Sequence, residues 1–161
     1  MIDDDELLLS LSTPRIHSAM QGEGSGLIRE LDTTIYSAVG LAEADAISGA
    51  VVGGPFPGGA DALPGPFSVV GVGHDADGLI TLSYACYDEE AAAANVPAIE
   101  ALLASGKTLD GSSYADHFTL QSVEADGYTL TATIELTDPA KGMLPFNMLM
   151  SGESLFTTNG G

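Results

Sequence analysis

Residues 128–136, YTLTATIEL, alternate apolar and polar side chains without a break. An extended strand is the regular backbone that sends successive side chains to opposite faces. Tyr128, Leu130, Ala132, Ile134 and Leu136 are then expected to face a core, with Thr129, Thr131, Thr133 and Glu135 facing water. A strand with one wet side belongs to an antiparallel sheet. Its natural partner is the stretch HFTLQSVEA just upstream, joined to it through Asp126-Gly127, a dipeptide suited to tight hairpin turns. The arrangement recurs in FSVVGVG and LITLSYACY, which flank HDADG; there Ile80, Leu82, Tyr84 and Cys86 alternate with Thr81, Ser83 and Ala85. Two hairpins are therefore expected, preceded by a short strand over 48–52.

Between the hairpins, Asp88 is placed to cap a helix that carries Glu89 and Glu90 in its first turn. Val96, Ile99, Leu102 and Leu103 share one face of it, and Gly106 marks its end. Pro97 is expected to kink or split this helix, because its ring removes a hydrogen bond and crowds the preceding turn. A second periodic stretch, with Leu27, Leu31, Ile35 and Ala38 on one side, predicts a helix over 27–39. Residues 138–156, DPAKGMLPFNMLMSGESLF, read as an apolar helical segment broken at Pro145. The whole is expected to be one α+β domain, an antiparallel sheet of two hairpins with helices packed on one face. Around it lie a flexible N-terminal segment (1–26), a Gly/Pro-rich loop (53–66) and a polar tail (157–161). The loop suits either a mobile lid or a plain surface crossover.

Only four basic residues oppose 23 acidic ones, a formal charge of −19 in 161 residues. Such a surface repels nucleic acid and leaves cationic or protein partners open. No apolar run is long enough to span a membrane. Charged residues make up only 17% of the chain, so scarcity of basic residues sets the balance more than density of acids. That composition favours an extracytoplasmic or cell-surface protein, with its leader outside the present sequence; the alternative is the cytoplasm of a halophile. Cys86, the single cysteine, falls in an apolar strand and is expected to be a small buried hydrophobe.

Each candidate for chemistry has an incomplete pattern. Asp75 and Asp77 are the candidate metal ligands, in an Asp-Ala-Asp-Gly that resembles the start of a calcium loop. The twelfth residue counted from Asp75 is Cys86, where such a loop needs glutamate, so a hairpin turn is the expected role. GEGSG at 22–26 lacks the glycines a nucleophile elbow or a dinucleotide loop would require. SSYADH at 112–117 gathers hydroxyls, an acid and an imidazole, so a hydrolase would have to rest on His117 with Asp116. The tyrosines Tyr84, Tyr87, Tyr114 and Tyr128 could line a ligand face. Met143, Phe146, Met148, Leu149 and Phe156, in the apolar C-terminal segment, are the candidate interface residues. The expectation is a non-catalytic interaction or structural domain without a cofactor, acting through a protein partner or self-association. The alternative is a small-ligand or calcium-binding module, with its pocket between the sheet and the 88–104 helix.

Overall fold

The computed structural model describes residues 48–159. The expected 27–39 helix and the N-terminal segment lie outside the described residues. Five strands form one antiparallel sheet: β1 (Ser48–Gly53), β2 (Phe67–His74), β3 (Leu79–Cys86), β4 (Phe118–Asp126) and β5 (Thr129–Leu136), in the order β1-β2-β3-β5-β4. Both expected hairpins are present, as β2-β3 and β4-β5, and the fold is α+β. Helix α1 (Glu89–Ser105) links β3 to β4, and α2 (Leu144–Ser151) follows β5.

Register decides which side chains share a face. Val70 and Val72 of β2 pair with Tyr84 and Leu82, and Tyr84, Leu82 and Ile80 of β3 pair with Leu130, Ala132 and Ile134 of β5. These residues are all buried, and one core cluster joins them to Ala91, Ala92, Ile99 and Leu103 of α1 and to Met148 and Leu149 of α2. Burial of this apolar set is the dominant favourable contribution to the fold.

Three expectations about local structure need correction. The second hairpin turns one residue later than its Asp-Gly suggests. Asp126 pairs with Thr129, so Gly127, at φ +56°, and Tyr128 form the loop. Tyr128 consequently sits exposed at the turn rather than facing the core. Glycine accepts the left-handed backbone that a two-residue hairpin demands, which is why the turn centres on it. Second, the far face of the sheet is not uniformly wet. Thr81, Ser83 and Ala85 on the central β3 are buried, while Thr129, Thr131 and Thr133 are half-buried and Glu124 and Glu135 exposed. Alternation says which residues share a face; whether water reaches that face depends on a strand's place in the sheet. Third, neither proline breaks its helix. α1 runs unbroken through Pro97, whose missing N–H leaves open the Ala93 carbonyl on an exposed part of the helix. Pro145 stands in the first turn of α2, where no intrahelical partner is lost.

The Gly/Pro-rich loop is an anchored crossover. Its Gly58 and Leu63 amides donate to the carbonyls of Thr158 and Thr157, and the Thr158 and Asn159 amides donate back to Phe56 and Leu63. Residues 157–159 are thus no free tail: Thr157 and Thr158 are buried beneath the loop they hold. A second anchor comes from α1, where the fully buried Asn95 takes the Gly65 N–H on Oδ1 at 2.7 Å and donates Nδ2 to the Gly65 carbonyl at 2.8 Å. Gly65 must be glycine there, since a Cβ would stand 2.1 Å from the Ala91 carbonyl oxygen.

Candidate functional site

Two places gather chemistry-bearing side chains: a hydrogen-bonded turn at 108–117 and a groove at the His74 end of the sheet. In the turn, Ser112 Oγ lies 2.8 Å from His117 Nε2, the spacing of a nucleophile and its base. Sequence reasoning picked out this cluster but assigned it the wrong acid. Asp116 spends Oδ2 on the Ser113 amide, in a capping box around the short 3-10 turn Tyr114–Asp116. The acid beside Ser112 is Asp110. Its Oδ1 accepts from the Thr108 hydroxyl at 2.6 Å, the Ser112 hydroxyl at 2.7 Å and the Ser112 amide at 2.9 Å. These donors, Thr108 first, hold the Asp110 carboxyl well below the usual carboxylate range.

Proton placement then decides what the cluster can do. Ser112 has one hydroxyl proton, and Asp110 Oδ1, His117 Nε2 and Thr108 Oγ1, the last at 2.8 Å, all lie within its reach. With that proton donated to Asp110, the contact to His117 is met by a proton on Nε2 donating to Ser112 Oγ. The other ring nitrogen, Nδ1, is buried without a hydrogen-bond partner. A vacant lone pair is tolerable there, whereas an N–H in that place would be a buried unpaired donor costing about 1–3 kcal/mol. For His117 to act as base toward Ser112, Nε2 must be bare and Nδ1 must carry that proton. Burial of Nδ1 thus favours the tautomer that cannot take the serine proton.

Close by, the C-terminal segment is tied to the same loop through Glu153. This buried carboxylate accepts from the Tyr114 hydroxyl at 3.0 Å and from the Leu109 amide at 3.1 and 2.9 Å. Burial first, then the Glu153 charge, pushes the Tyr114 hydroxyl well above its ordinary value. Tyr84, wholly buried, donates to the Leu155 carbonyl at 3.0 Å. Tyr84 and Tyr114 are thus core residues, while Tyr87 is exposed at the far end of β3, so the four tyrosines line no common ligand face.

The candidate metal ligands also serve structure. Asp75 Oδ1 accepts from the amides of Asp77 at 2.9 Å and Leu79 at 2.8 Å, which makes it the side-chain cap of the β2-β3 turn. Among the described residues no three acidic, histidine or cysteine side chains converge. Cys86 is a buried free thiol on β3. Burial pushes it up to about 11, against a smaller opposing effect of Asn95, whose Nδ2 lies 3.8 Å from Sγ.

The groove, of about 680 Å3, is shallow and largely open to solvent. It lies between the start of β1 with the end of β2, which supply Ser48 and His74, and the chain from Pro139 into α2, which supplies Lys141, Met143, Leu144, Phe146 and Asn147. This is a different place from the expected one between the sheet and the 88–104 helix, where Ile99 and Leu103 fill the core. His74 stacks on Phe146, with ring centroids 5.4 Å apart and planes inclined by 19°, and its Nε2 is buried without a partner. Met143 is 65% exposed on the rim. Of the candidate interface residues, Met143 and Phe146 belong to this groove. Met148, Leu149 and Phe156 are buried in the chain's own core and cannot serve an interface, because they lie on the inward side of the segment that covers the sheet.

Among the described residues no helix is long and apolar enough to cross a membrane. Comparisons of the chain with protein families, with curated proteins and with solved structures found no match.

Proposed function

We propose that this chain is a non-catalytic binding domain of an extracytoplasmic protein, and that it engages a protein partner at the groove beside His74. The observation that carries this reading is the groove itself: an open cleft with the exposed Met143 on its rim and the stacked His74–Phe146 pair in its wall. Exposed apolar side chains gathered around a concavity, with a few polar groups among them, are the usual makeup of a recognition site. The hold of Asp110 on Ser112 and of Asp116 on the Ser113 amide supports a binding role over hydrolysis. Scarcity of basic residues at a charged fraction of only 17% supports the extracytoplasmic setting, and four basic residues against 23 acidic ones leave nucleic acid disfavoured as a partner.

The test is an amide-resolved NMR screen of the full chain against a library of short peptides and fragments. Shifts confined to Ser48, His74 and residues 139–147 are expected. Shifts centred on 108–117 would move the site to the Ser112–His117 turn and overturn the reading, as would a library without a single binder.

A further inference from the structure

The charge pattern around the groove identifies what the partner presents. The described residues contain two lysines and no arginine, and one of those lysines, Lys141, lines this groove. Among the described residues no acidic side chain lines it, in a chain where acids outnumber bases 23 to four. Two described acids adjoin lining residues and both are engaged in turns: Asp138 Oδ1 accepts from the Ala140 amide at 3.1 Å and caps the turn that carries Lys141, and Asp75 Oδ1 caps the β2-β3 turn. Lys141 forms no ion pair among the described residues. Lys141 thus lines the groove together with the apolar Met143 and Phe146 and the neutral polar Ser48 and Asn147. Net charge would steer a cation toward this protein, but beyond a screening length of about 8 Å at physiological salt the remote carboxylates contribute little. The local lysine decides.

We infer that the groove receives the C-terminal end of a partner polypeptide, its terminal carboxylate on Lys141 and its apolar last side chain against Phe146 and Met143. This rests on the groove being the binding site. A chain end suits the shape better than a free small molecule does, because pockets for small ligands bury about 70–90% of them and this groove is shallow and largely open. Chain-end carboxylates are captured in other recognition sites by backbone N–H nests; here the charge of Lys141 takes that part.

The experiment titrates the full chain, by calorimetry with NMR mapping, with acetyl-Ala-Ala-Phe as the free acid and as the C-terminal amide, and with 3-phenylpropionate. The free acid is expected to bind at 139–147 at least ~10-fold more tightly than the amide, a difference of about 1.4 kcal/mol. Lys141→Gln should abolish that preference while leaving the amide's affinity unchanged, and Met143→Ser should weaken acid and amide alike. Both substituted residues are exposed, so the fold is retained. Equal binding of acid and amide within the groove would overturn the carboxylate while leaving the groove as the site. Binding of 3-phenylpropionate as tightly as the peptide would overturn the chain end in favour of a small carboxylate. Absence of binding by the free acid at 10-fold above millimolar concentration, or an unchanged preference in Lys141→Gln, would overturn the inference outright.

Discussion

Replacing Asn95 by alanine isolates the link that turns the Gly/Pro-rich loop into fixed structure. In the wild type the Gly65 N–H donates to Oδ1 at 2.7 Å and the Gly65 carbonyl accepts from Nδ2 at 2.8 Å, both out of contact with water. Alanine removes both partners at once. The N–H is left without an acceptor, at about 1–3 kcal/mol for a buried unsatisfied group. The carbonyl suffers less, since Thr158 Oγ1 still reaches it at 3.4 Å. A total of about 2–4 kcal/mol follows. In urea, with a slope near 2 kcal/mol per molar, the midpoint should fall by roughly 1–2 M with the slope unchanged. Gly65→Ala approaches the same contact from the other side: its Cβ would meet Ala91 backbone atoms at 2.1, 2.7 and 2.8 Å, so no side-chain rotation relieves it, and it should destabilise at least as much. A loss below about 1 kcal/mol in Asn95→Ala would refute the reasoning, because it would mean that water or a loop shift replaces the clamp.

Three further outcomes are expected. Long-range proton–nitrogen NMR should find neutral His117 protonated on Nε2; a proton on Nδ1 would free Nε2 to serve Ser112 as a base and revive an acyl-transfer role for the turn. Cys86 ionises near 11 when folded but near an ordinary 9 when unfolded, so its contribution to stability is intact below pH 9 and is lost as pH rises to 11. Cys86→Ala should therefore flatten the decline of unfolding free energy across that interval, and an identical slope in the two proteins would contradict the assigned burial. At the β2-β3 turn, Asp75→Ala should cost about 1 kcal/mol as a lost side-chain cap, while Asp75→Asn, which keeps the accepting oxygen, should cost much less. A calcium-dependent rise in melting temperature that vanishes in both variants would instead make Asp75 a metal ligand.

The candidate site was legible only in fragments. SSYADH drew attention to His117 because hydroxyl, acid and imidazole fall within six residues, yet proximity in sequence favoured Asp116. Geometry chose Asp110, whose carboxylate turns back onto Thr108 and Ser112 across Gly111. The groove could not be read from the chain at all. Ser48, His74 and Lys141 are far apart in sequence, and only the pairing of Ser48 with His74, together with the return of the chain after β5, brings them to one place. The one available signal was the isolated basic residue in an apolar, methionine-bearing segment. Asn95 was overlooked because a polar residue between alanines and valine on a helix reads as solvent-facing; its partner is a backbone 30 residues away.

Alternation and turn chemistry by themselves determined the two hairpins, the capped helix between them and the α+β class, since these depend on interactions within a few residues of one another. The order β1-β2-β3-β5-β4, the burial of both faces of β3, the conversion of 157–159 from tail to anchor and the place of the groove were decided by tertiary structure alone. A period of two gives a side chain its face, but exposure and function depend on which distant segment arrives there, and that is set by packing across the whole core.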